Sequence, residues 1–268
     1  MDKTRSGQVM RSAADIYEDF FLPALFSQWA WRVSDAAQLA PGQKVLDVAC
    51  GTGVLACEAA RRIEPGGTVA GLDRNDGMLA VARRKAPAID WRLGRAEALP
   101  FASESFDAVV SQFGLMFFED RGAALKEMWR TLRPGGMLAA AVWDTLEHTP
   151  GYATMVALLQ RLFGNRIANE LRAPFVLGDA EALLSLFAQA GIMGVDISTH
   201  VGAARFPSIE SWVKTDVKGW TLADLIDDEQ YRLLLREAEK ALQPHTLTDG
   251  AVAFDAPAHI ATARKACQ

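Results

Sequence analysis

The chain has 268 residues, of which 50% are hydrophobic and 23% are charged, and its formal net charge is −5. This composition is that of an ordinary soluble globular protein, and the length allows one elaborated domain or one domain with a small cap. The acidic balance argues against a generalised nucleic-acid-binding surface, although it leaves room for a local basic patch. No apolar run approaches the ~18 residues of a membrane helix, so we expect no membrane span.

The N-terminal stretch and the cysteines indicate the cellular compartment. The first 20 residues contain no apolar core that could serve as a secretory signal. The three cysteines, Cys50, Cys57 and Cys267, are odd in number and have no metal-ligand spacing. We therefore expect a cytoplasmic protein that binds no metal and in which Cys50 and Cys57 are packed as small residues.

From residue 44 onwards, short apolar runs alternate with helix-like segments. The strand-like runs lie at 44–49, 68–73, 89–94, 106–112 and 137–143, and helix-like segments lie at 52–63, 76–86 and 121–132. Strand–helix units in a row imply parallel strands with helices on both faces. With further strand-like segments near 195–206 and 259–266, we predict an α/β fold with a Rossmann-like, doubly wound, mostly parallel sheet of seven strands.

Two regions fall outside this alternation. Residues 1–40 are rich in aromatic side chains, and residues 207–250 form a helix-like insertion before the last strand. We predict that both are helical and that they cap the core. The predicted units are an N-terminal lid segment at 1–40, a ligand-binding α/β core at 41–206, the cap at 207–250, and the last core strand with the tail at 251–268.

The turn after the first strand reads Cys50-Gly51-Thr52-Gly53 and leads into a helix-like segment. In an open α/β sheet, ligands bind at the carboxyl ends of the strands. There, glycines let the backbone come close, and a helix start offers free N–H groups to an anion. Asp73 closes the second strand, 20 residues beyond Gly53. A carboxylate at that position suits the two ribose hydroxyls of an adenosine.

Two adenosine-containing ligands fit this pattern. A dinucleotide usually has a third glycine in the turn, and Ala56 stands there as a permitted variant, so the glycines do not decide. Asp47, in the strand end, would repel a pyrophosphate but suits a ligand that carries an ammonium group. The residues therefore favour S-adenosylmethionine, and a nicotinamide-dependent oxidoreductase is the alternative.

Four motifs follow one another in the order and at the spacing of a known family. They are VLDVACGTG (45–53), GLDRNDGML (71–79), GRAEALPFASESFDAVVSQFGLMFF (94–118) and RTLRPGGMLAAAVW (130–143). Together they resemble the motifs of class I S-adenosylmethionine-dependent methyltransferases of type 11, in the branch that includes quinone-biosynthesis enzymes. The resemblance covers residues 44–143 and implies S-adenosyl-L-methionine as methyl donor, S-adenosyl-L-homocysteine as product, and no metal.

The resemblance also implies which residues bind the donor. The first motif would line its methionine end, the acid after the second strand its ribose, the third motif its adenine, and the end of the fourth strand its sulfonium. The residues so assigned are Asp47, Ala49, Gly51, Gly53, Asp73, Arg74, Met78, Ala96, Glu97, Gln112 and Phe113. Two positions depart from the family pattern: Ala49 stands where glycine is common, and Arg95 stands where an acid is common, which leaves a backbone contact to the adenine.

No residue is identified as a general base. Methyl transfer by in-line displacement needs one only when the nucleophile carries a proton that must leave. Tyr17 and His148 are the candidates for a catalytic role, but Tyr17 also fits as an aromatic cover over the core and His148 as a solvated loop histidine. His200, His245 and His259 fit a catalytic role less well.

Aromatic residues near the strand ends and in the cap suggest the acceptor. We predict a substrate pocket that includes Tyr17, Phe117, Trp143, Trp212 and Trp220, although the two cap tryptophans could equally hold the cap together. These rings favour a small apolar or aromatic acceptor. We also expect a monomer or homodimer and, from the acidic balance, no nucleic-acid partner. An RNA or protein methyltransferase, and a non-catalytic relative that binds S-adenosylmethionine, are the alternatives.

Overall fold

The structure is a computed structural model that describes residues 11–218, 222 and 225–267, with side chains from residue 14 onwards. Its nine described strands are β1 Lys44–Val48, β2 Thr68–Asp73, β3 Asp90–Leu93, β4 Phe106–Gln112, β5 Leu132–Trp143, β6 Asp196–His200, β7 Ala203–Phe206, β8 Val252–Asp255 and β9 Ala258–Arg264. Seven of them form the main sheet in the order β3-β2-β1-β4-β5-β9-β6.

The pairing within this sheet matches the predicted architecture. β1 pairs in parallel with β2 and β4, β2 with β3, and β4 with β5, whereas β9 runs antiparallel to β5 and β6. The strand order reverses between β1 and β4, which is the point where open α/β sheets bind ligands. The Rossmann-like, mostly parallel, seven-stranded fold is therefore confirmed.

Helices cover the sheet and its carboxyl edge. The α-helices are α1 Arg11–Ile16, α2 Ser27–Ala36, α3 Val54–Ile63, α4 Asp76–Lys85, α5 Arg121–Thr131, α6 Pro150–Phe163, α7 Asn165–Arg172, α8 Ala180–Gln189, α9 Ile209–Lys218 and α10 Asp228–Ala241. Short 3₁₀ turns occupy Leu115–Phe117, Leu146–His148, Ala173–Phe175 and Gln243–His245. None of the helices in the described ranges is both long enough and apolar enough to cross a membrane.

The central strands of the sheet lie in the hydrophobic core. β1, β4 and β5 are buried almost throughout, as expected for parallel strands that are covered on both faces. Trp91 from β3 packs beneath the glycine turn, where a Cβ atom on Gly53 or Gly71 would lie 2.5 or 2.4 Å from its ring. Glycine at these two positions therefore lets a large ring support the turn from below.

The N-terminal segment is helical, as predicted, but its helix is not regular. Residues Tyr17–Phe26 form a π-helix that contains Pro23, and the N–H of Ser27 donates to the carbonyl of Leu22. This wider helix joins α1 to α2 and brings Tyr17 and Phe26 to the carboxyl edge of the sheet. Segments of π-helix occur frequently at functional sites.

The cap contains a small sheet that the sequence did not predict. The strand-like stretch 195–206 divides into β6, which joins the main sheet, and β7, which pairs antiparallel with β8 as a separate two-stranded sheet. The helices α9 and α10 lie between β7 and β8 in the chain. The insertion therefore begins and ends at the two strands of this small sheet.

Candidate active site

Two adjoining clefts open at the carboxyl ends of β1, β2 and β4. The larger has a volume of about 770 Å³ and the smaller about 300 Å³, each including open solvent at the mouth. They share Ala49, Asp73, Arg74 and Phe118, and so form one continuous site. The larger cleft is lined by Tyr17, Phe26, Ala49, Gly51, Asp73, Arg74, Asn75, Met78, Gln112, Phe113, Gly114, Phe117, Phe118 and Trp143.

The turn after β1 forms the floor of the site. Ala49, Gly51 and Gly53 have φ angles of 59°, 54° and 86°, so the chain turns sharply before α3 begins at Val54. A Cβ atom on Gly114 would lie 2.5 Å from the Cβ of Ala49, so the turns after β1 and β4 are in close contact. The site therefore presents backbone groups and a helix start to a ligand.

Asp73 lies at the end of β2, and its carboxylate accepts hydrogen bonds from two backbone N–H groups. Its Oδ2 accepts a hydrogen bond from the N–H of Gly51 at 2.8 Å, and its Oδ1 accepts one from the N–H of Asn75 at 2.8 Å. Burial raises the pKa of this carboxyl, and these backbone hydrogen bonds oppose the rise. Each carboxylate oxygen can accept further hydrogen bonds, so Asp73 is positioned to receive a diol such as a ribose.

Asp47 lies below the turn and is 1% exposed. Neither of its carboxylate oxygens has a hydrogen-bond partner of ordinary geometry. Burial raises the pKa of this carboxyl, the backbone amide of Ala56 partly opposes the rise, and the charge of Asp73 adds to it. Burying a carboxylate is costly, and a cationic ligand group in the cleft would lower that cost. We call Asp47, Asp73 and the turn at 49–53 the carboxylate half.

Charged side chains that line the smaller cleft pair with neighbouring groups. Glu119 bridges Arg95 at 2.8 Å and Arg74 at 3.2 Å. Glu97 accepts hydrogen bonds from the N–H groups of Glu119 and Asp120, at 2.9 and 3.4 Å. Because Arg95 and Glu97 are occupied in this way, backbone groups near Ala96 are left to contact a ligand in the smaller cleft.

Aromatic side chains also line the larger cleft. Phe113 and Trp143 stack face to face, with ring centroids 3.8 Å apart and planes 9° apart. Phe26 packs at an angle against both rings, and Tyr17 stacks on Phe26 with centroids 5.2 Å apart. We call Tyr17, Phe26, Phe113, Phe117 and Trp143 the aromatic half.

Gln112 connects the aromatic half to the N-terminal segment. Its Nε2 donates to the carbonyl of Phe26 at 3.1 Å, whereas its Oε1 is buried without a hydrogen-bond partner. Phe113, the next residue, has a φ of 55°, which an L-residue adopts only at a cost. This unusual backbone conformation directs the chain away from β4 at the point where the two halves meet.

Most of the residues that the sequence singled out come together in the two clefts. The larger cleft contains Ala49, Gly51, Asp73, Arg74, Met78, Gln112 and Phe113, together with Tyr17, Phe117 and Trp143, and the smaller contains Ala96 and Glu97. Asp47, in β1, and Gly53, in the turn itself, are not among the residues that line the two clefts. Sequence reasoning missed Phe26, Asn75 and Gly114, although Phe26 belongs to the aromatic-rich N-terminal stretch that is predicted to cover the site.

Three candidates lie elsewhere. The side chain of His148 is 64% exposed and its Nδ1 lies 2.9 Å from Asp144, and His148 is not among the residues that line the two clefts. Trp212 is buried in the cap, stacked on Phe206 and in edge contact with Tyr152, so it holds the cap together rather than lining the cleft. Trp220 lies outside the described residues.

Known proteins resemble the chain in both sequence and fold. The sequence profile of the methyltransferase domain family matches residues 46–140. Demethylmenaquinone methyltransferase from Staphylococcus carnosus is 32% identical over 206 residues, which cover 71% of this chain and 85% of that enzyme. The chain belongs to the class I S-adenosylmethionine-dependent methyltransferases. Demethylmenaquinone methyltransferase from Renibacterium salmoninarum is 43% identical over 127 residues, about half of each chain. These relatives confirm the predicted quinone-biosynthesis branch.

Solved structures confirm the fold of this methyltransferase. YcgJ from Bacillus subtilis superposes with a TM-score of 0.61 at 18% identity, over 90% of this chain and 99% of that one. Phosphoethanolamine N-methyltransferase 2 from Haemonchus contortus, in complex with S-adenosylmethionine, gives 0.62 at 18% identity over 96% of this chain and 58% of that one. The [4+2]-cyclase SpnF gives 0.57 at 18% identity over 90% and 82%, which shows that this fold also hosts another reaction.

A metal site was not expected from the sequence. Within the part of the chain that the structure describes, no group of three His, Cys, Asp or Glu side chains is placed to hold a metal ion. The metal-free reaction remains a prediction.

Proposed function

We propose that this methyltransferase transfers a methyl group to a small, flat apolar or aromatic acceptor of the quinol class. The observation that supports this most strongly is the aromatic half, where Phe113 and Trp143 stack in parallel beside Phe26 and Tyr17. The charged residues among those that line the larger cleft, Asp73 and Arg74, are not part of the aromatic half. An apolar, planar acceptor fits rings of this kind better than a charged one.

The donor fits the carboxylate half. Asp73 would accept hydrogen bonds from the ribose hydroxyls, and the buried carboxylate of Asp47 would face the ammonium group of the methionine tail. The start of α3 would receive the tail's carboxylate. Met78 and the backbone near Ala96 would contact the adenine. In this arrangement the sulfonium lies where the two halves meet, beside Gln112 and Phe113.

The chemistry of the donor is a displacement at carbon. The nucleophile of the acceptor forms a bond to the methyl carbon, and the bond between that carbon and sulfur breaks with its electron pair remaining on sulfur. The chain's residues provide alignment: the aromatic half holds the acceptor plane and the carboxylate half fixes the donor. Holding two reactants in attacking geometry can lower the free-energy barrier by about 7–11 kcal/mol.

Tyr17 is suited to orient the acceptor rather than to deprotonate it. Burial raises the pKa of its phenol above the ordinary value, and the charges of Glu18, Asp73 and Asp47 add to the rise. Tyr17 therefore stays neutral at physiological pH and can donate or accept a hydrogen bond. No histidine lines the cleft within the described part of the chain, so we expect an acceptor that is nucleophilic by itself, as an ionised phenol or an electron-rich quinol ring is.

A panel of acceptors tests this proposal. The protein is incubated with S-adenosylmethionine and, separately, with a naphthoquinol, a simple phenol, phosphoethanolamine, an RNA oligonucleotide and a protein extract, and S-adenosylhomocysteine is measured by mass spectrometry. Because the relatives are named demethylmenaquinone methyltransferases, demethylmenaquinone in its reduced form is the first acceptor in the panel. We expect turnover with the aromatic acceptors, at rates that Asp73→Ala lowers.

Two other outcomes would overturn the proposal. Turnover with RNA or protein and none with any quinol or phenol would favour a macromolecular substrate. Binding of S-adenosylhomocysteine without turnover on any acceptor would favour a non-catalytic relative.

A further inference from the structure

Two neighbouring ion pairs join the N-terminal segment to the end of α4. Arg84 pairs with Asp15 at 2.5 Å, and these side chains are 55% and 49% exposed. Lys85 pairs with Glu18 at 2.6 Å, and these side chains are 30% and 20% exposed. The first pair therefore lies at the surface, whereas the second lies in a partly buried position where solvent screens it less.

Lys85 makes a second contact that connects it to the glycine turn. Its Nζ donates to the carbonyl of Thr52 at 3.2 Å. Thr52 is buried and stands between Gly51 and Gly53. One ammonium group therefore joins three elements: the end of α4, the turn that forms the floor of the cleft, and the π-helix that carries Glu18.

Glu18 depends on this ammonium group for its charge balance. Its Oε1 faces Lys85, whereas its Oε2 is buried without a hydrogen-bond partner. Removal of Lys85 would leave a partly buried carboxylate unpaired, and the chain would relieve this by moving Glu18 towards solvent. Such a movement must displace Tyr17, the adjacent residue, which lines the cleft and stacks on Phe26.

From this geometry we infer that Lys85 and Glu18 are a positioning pair that holds Tyr17 over the cleft in register with the glycine turn. Neither side chain lines the cleft, so both act through other groups, Lys85 on the carbonyl of Thr52 and Glu18 on the position of Tyr17. The inference rests on the proposed donor site. Its consequence is that the pair slows the escape of bound donor or product, because Tyr17 would leave the cleft if the pair were broken.

The two ion pairs provide a matched experiment. Affinity for S-adenosylhomocysteine is measured by calorimetry, and its dissociation rate by stopped-flow tryptophan fluorescence, for Lys85→Met and for Arg84→Met. We expect Lys85→Met to weaken binding about three- to tenfold, mainly through faster dissociation, and Arg84→Met to change it less than about twofold. Glu18→Gln is expected to behave like Lys85→Met, and Lys85→Arg to restore most of the affinity.

A purely structural role would give a different pattern. It would lower the midpoint of thermal unfolding of the unliganded protein without changing the dissociation rate of the folded fraction. Equal dissociation rates for Lys85→Met, Arg84→Met and the wild type would overturn the inference alone. If Lys85→Met does not fold, Glu18→Gln tests the same pair from the other side. A wild-type chain that binds no S-adenosylhomocysteine would overturn the proposed function as well.

Discussion

The carboxylate half and the aromatic half of the cleft are assembled from different parts of the chain. The carboxylate half comes from residues 47–73, where one turn, two strand ends and two acids lie close together in sequence. The aromatic half takes Tyr17 and Phe26 from the N-terminal segment, and Phe113 and Trp143 from the ends of β4 and β5. The carboxylate half is therefore built from residues close together in the chain, and the aromatic half from side chains that are far apart in it.

This difference suggests a division of work. Backbone turns and buried acids are fixed by the fold itself, so they suit a ligand that every member of the family must bind. Aromatic side chains from separate elements can change size without altering the sheet, so they suit the variable acceptor. Substitutions in one half are therefore expected to affect one ligand more than the other.

The largest expected effect comes from Gly53→Ala in the carboxylate half. The new Cβ would lie 2.5 Å from the ring of Trp91, at a residue whose φ is 86°. Strain and overpacking together are expected to lower the free energy of unfolding by about 2–5 kcal/mol. Gly51→Ala is the matched control, because its φ is also positive but nothing lies within 4 Å, and it is expected to cost about 1–2 kcal/mol. Urea unfolding of both variants checks this, and equal losses would contradict the close packing of Trp91.

The next largest effect is expected for Asp73→Ala. It removes the acceptor of the N–H groups of Gly51 and Asn75 and the expected partner of the ribose. Loss of about 1.5–3 kcal/mol corresponds to an affinity for S-adenosylhomocysteine that is about tenfold weaker or more. Asp90→Ala, which removes an exposed acid at the start of β3, serves as control in the same calorimetric measurement. Unchanged affinity in Asp73→Ala would show that this acid does not hold the ribose.

A third variant tests whether Asp47 is kept for the donor at the expense of stability. Burial raises the pKa of this carboxyl above its ordinary value of 3.8. A raised pKa in the folded state contributes stability that is present below the ordinary pKa and is lost as the pH rises through the folded value. The unliganded Asp47→Asn protein is therefore expected to be more stable than wild type near neutral pH, by about 1 kcal/mol or more.

The same substitution is expected to weaken binding of the donor, because the ammonium group loses its carboxylate partner. Thermal unfolding between about pH 5 and pH 8 measures the first effect, and calorimetry with S-adenosylhomocysteine measures the second. A variant that is less stable than wild type over this whole range, and binds equally well, would show that Asp47 is a structural acid.

The smallest expected effect lies in the aromatic half. Trp143→Phe replaces the indole that stacks on Phe113 with a smaller phenyl ring. We expect the KM for the acceptor to rise about three- to tenfold, whereas the affinity for S-adenosylhomocysteine changes less than about twofold. His148→Ala, at an exposed position beyond the cleft, is expected to change neither quantity. If Trp143→Phe weakened both ligands equally, the two halves would not be separable.

The sequence predicted the carboxylate half well for a physical reason. The turn at 50–53 and Asp73 belong to one strand–helix–strand unit, and their spacing fixes their relation in space. The seven strands were predictable because buried parallel strands are nearly continuous apolar runs. These features depend on residues that are close together in the chain.

The aromatic half could be predicted only in part. Tyr17 and Trp143 were expected near the site, but nothing local indicates that Phe26 reaches the cleft, because its place depends on a π-helix that shifts the register of the chain. Trp212 was assigned to the substrate pocket and instead packs in the cap, since an aromatic residue in a helix does not reveal which neighbour it contacts. The pairing of β7 with β8 was missed because residues 207–251 separate the two strands, so no local pattern indicates that they pair.

The central claim is that the donor's methyl group lies where the two halves meet, against the rings of Phe113 and Trp143. The most direct test is the NMR spectrum of S-adenosylmethionine that carries ¹³C in its methyl group, recorded free and bound. Rings that face the methyl group are expected to shift its proton and carbon resonances away from the free values, and Trp143→Leu is expected to reduce that shift while binding persists. A bound methyl group that resonates at the free position, and does not respond to this substitution, would contradict the account.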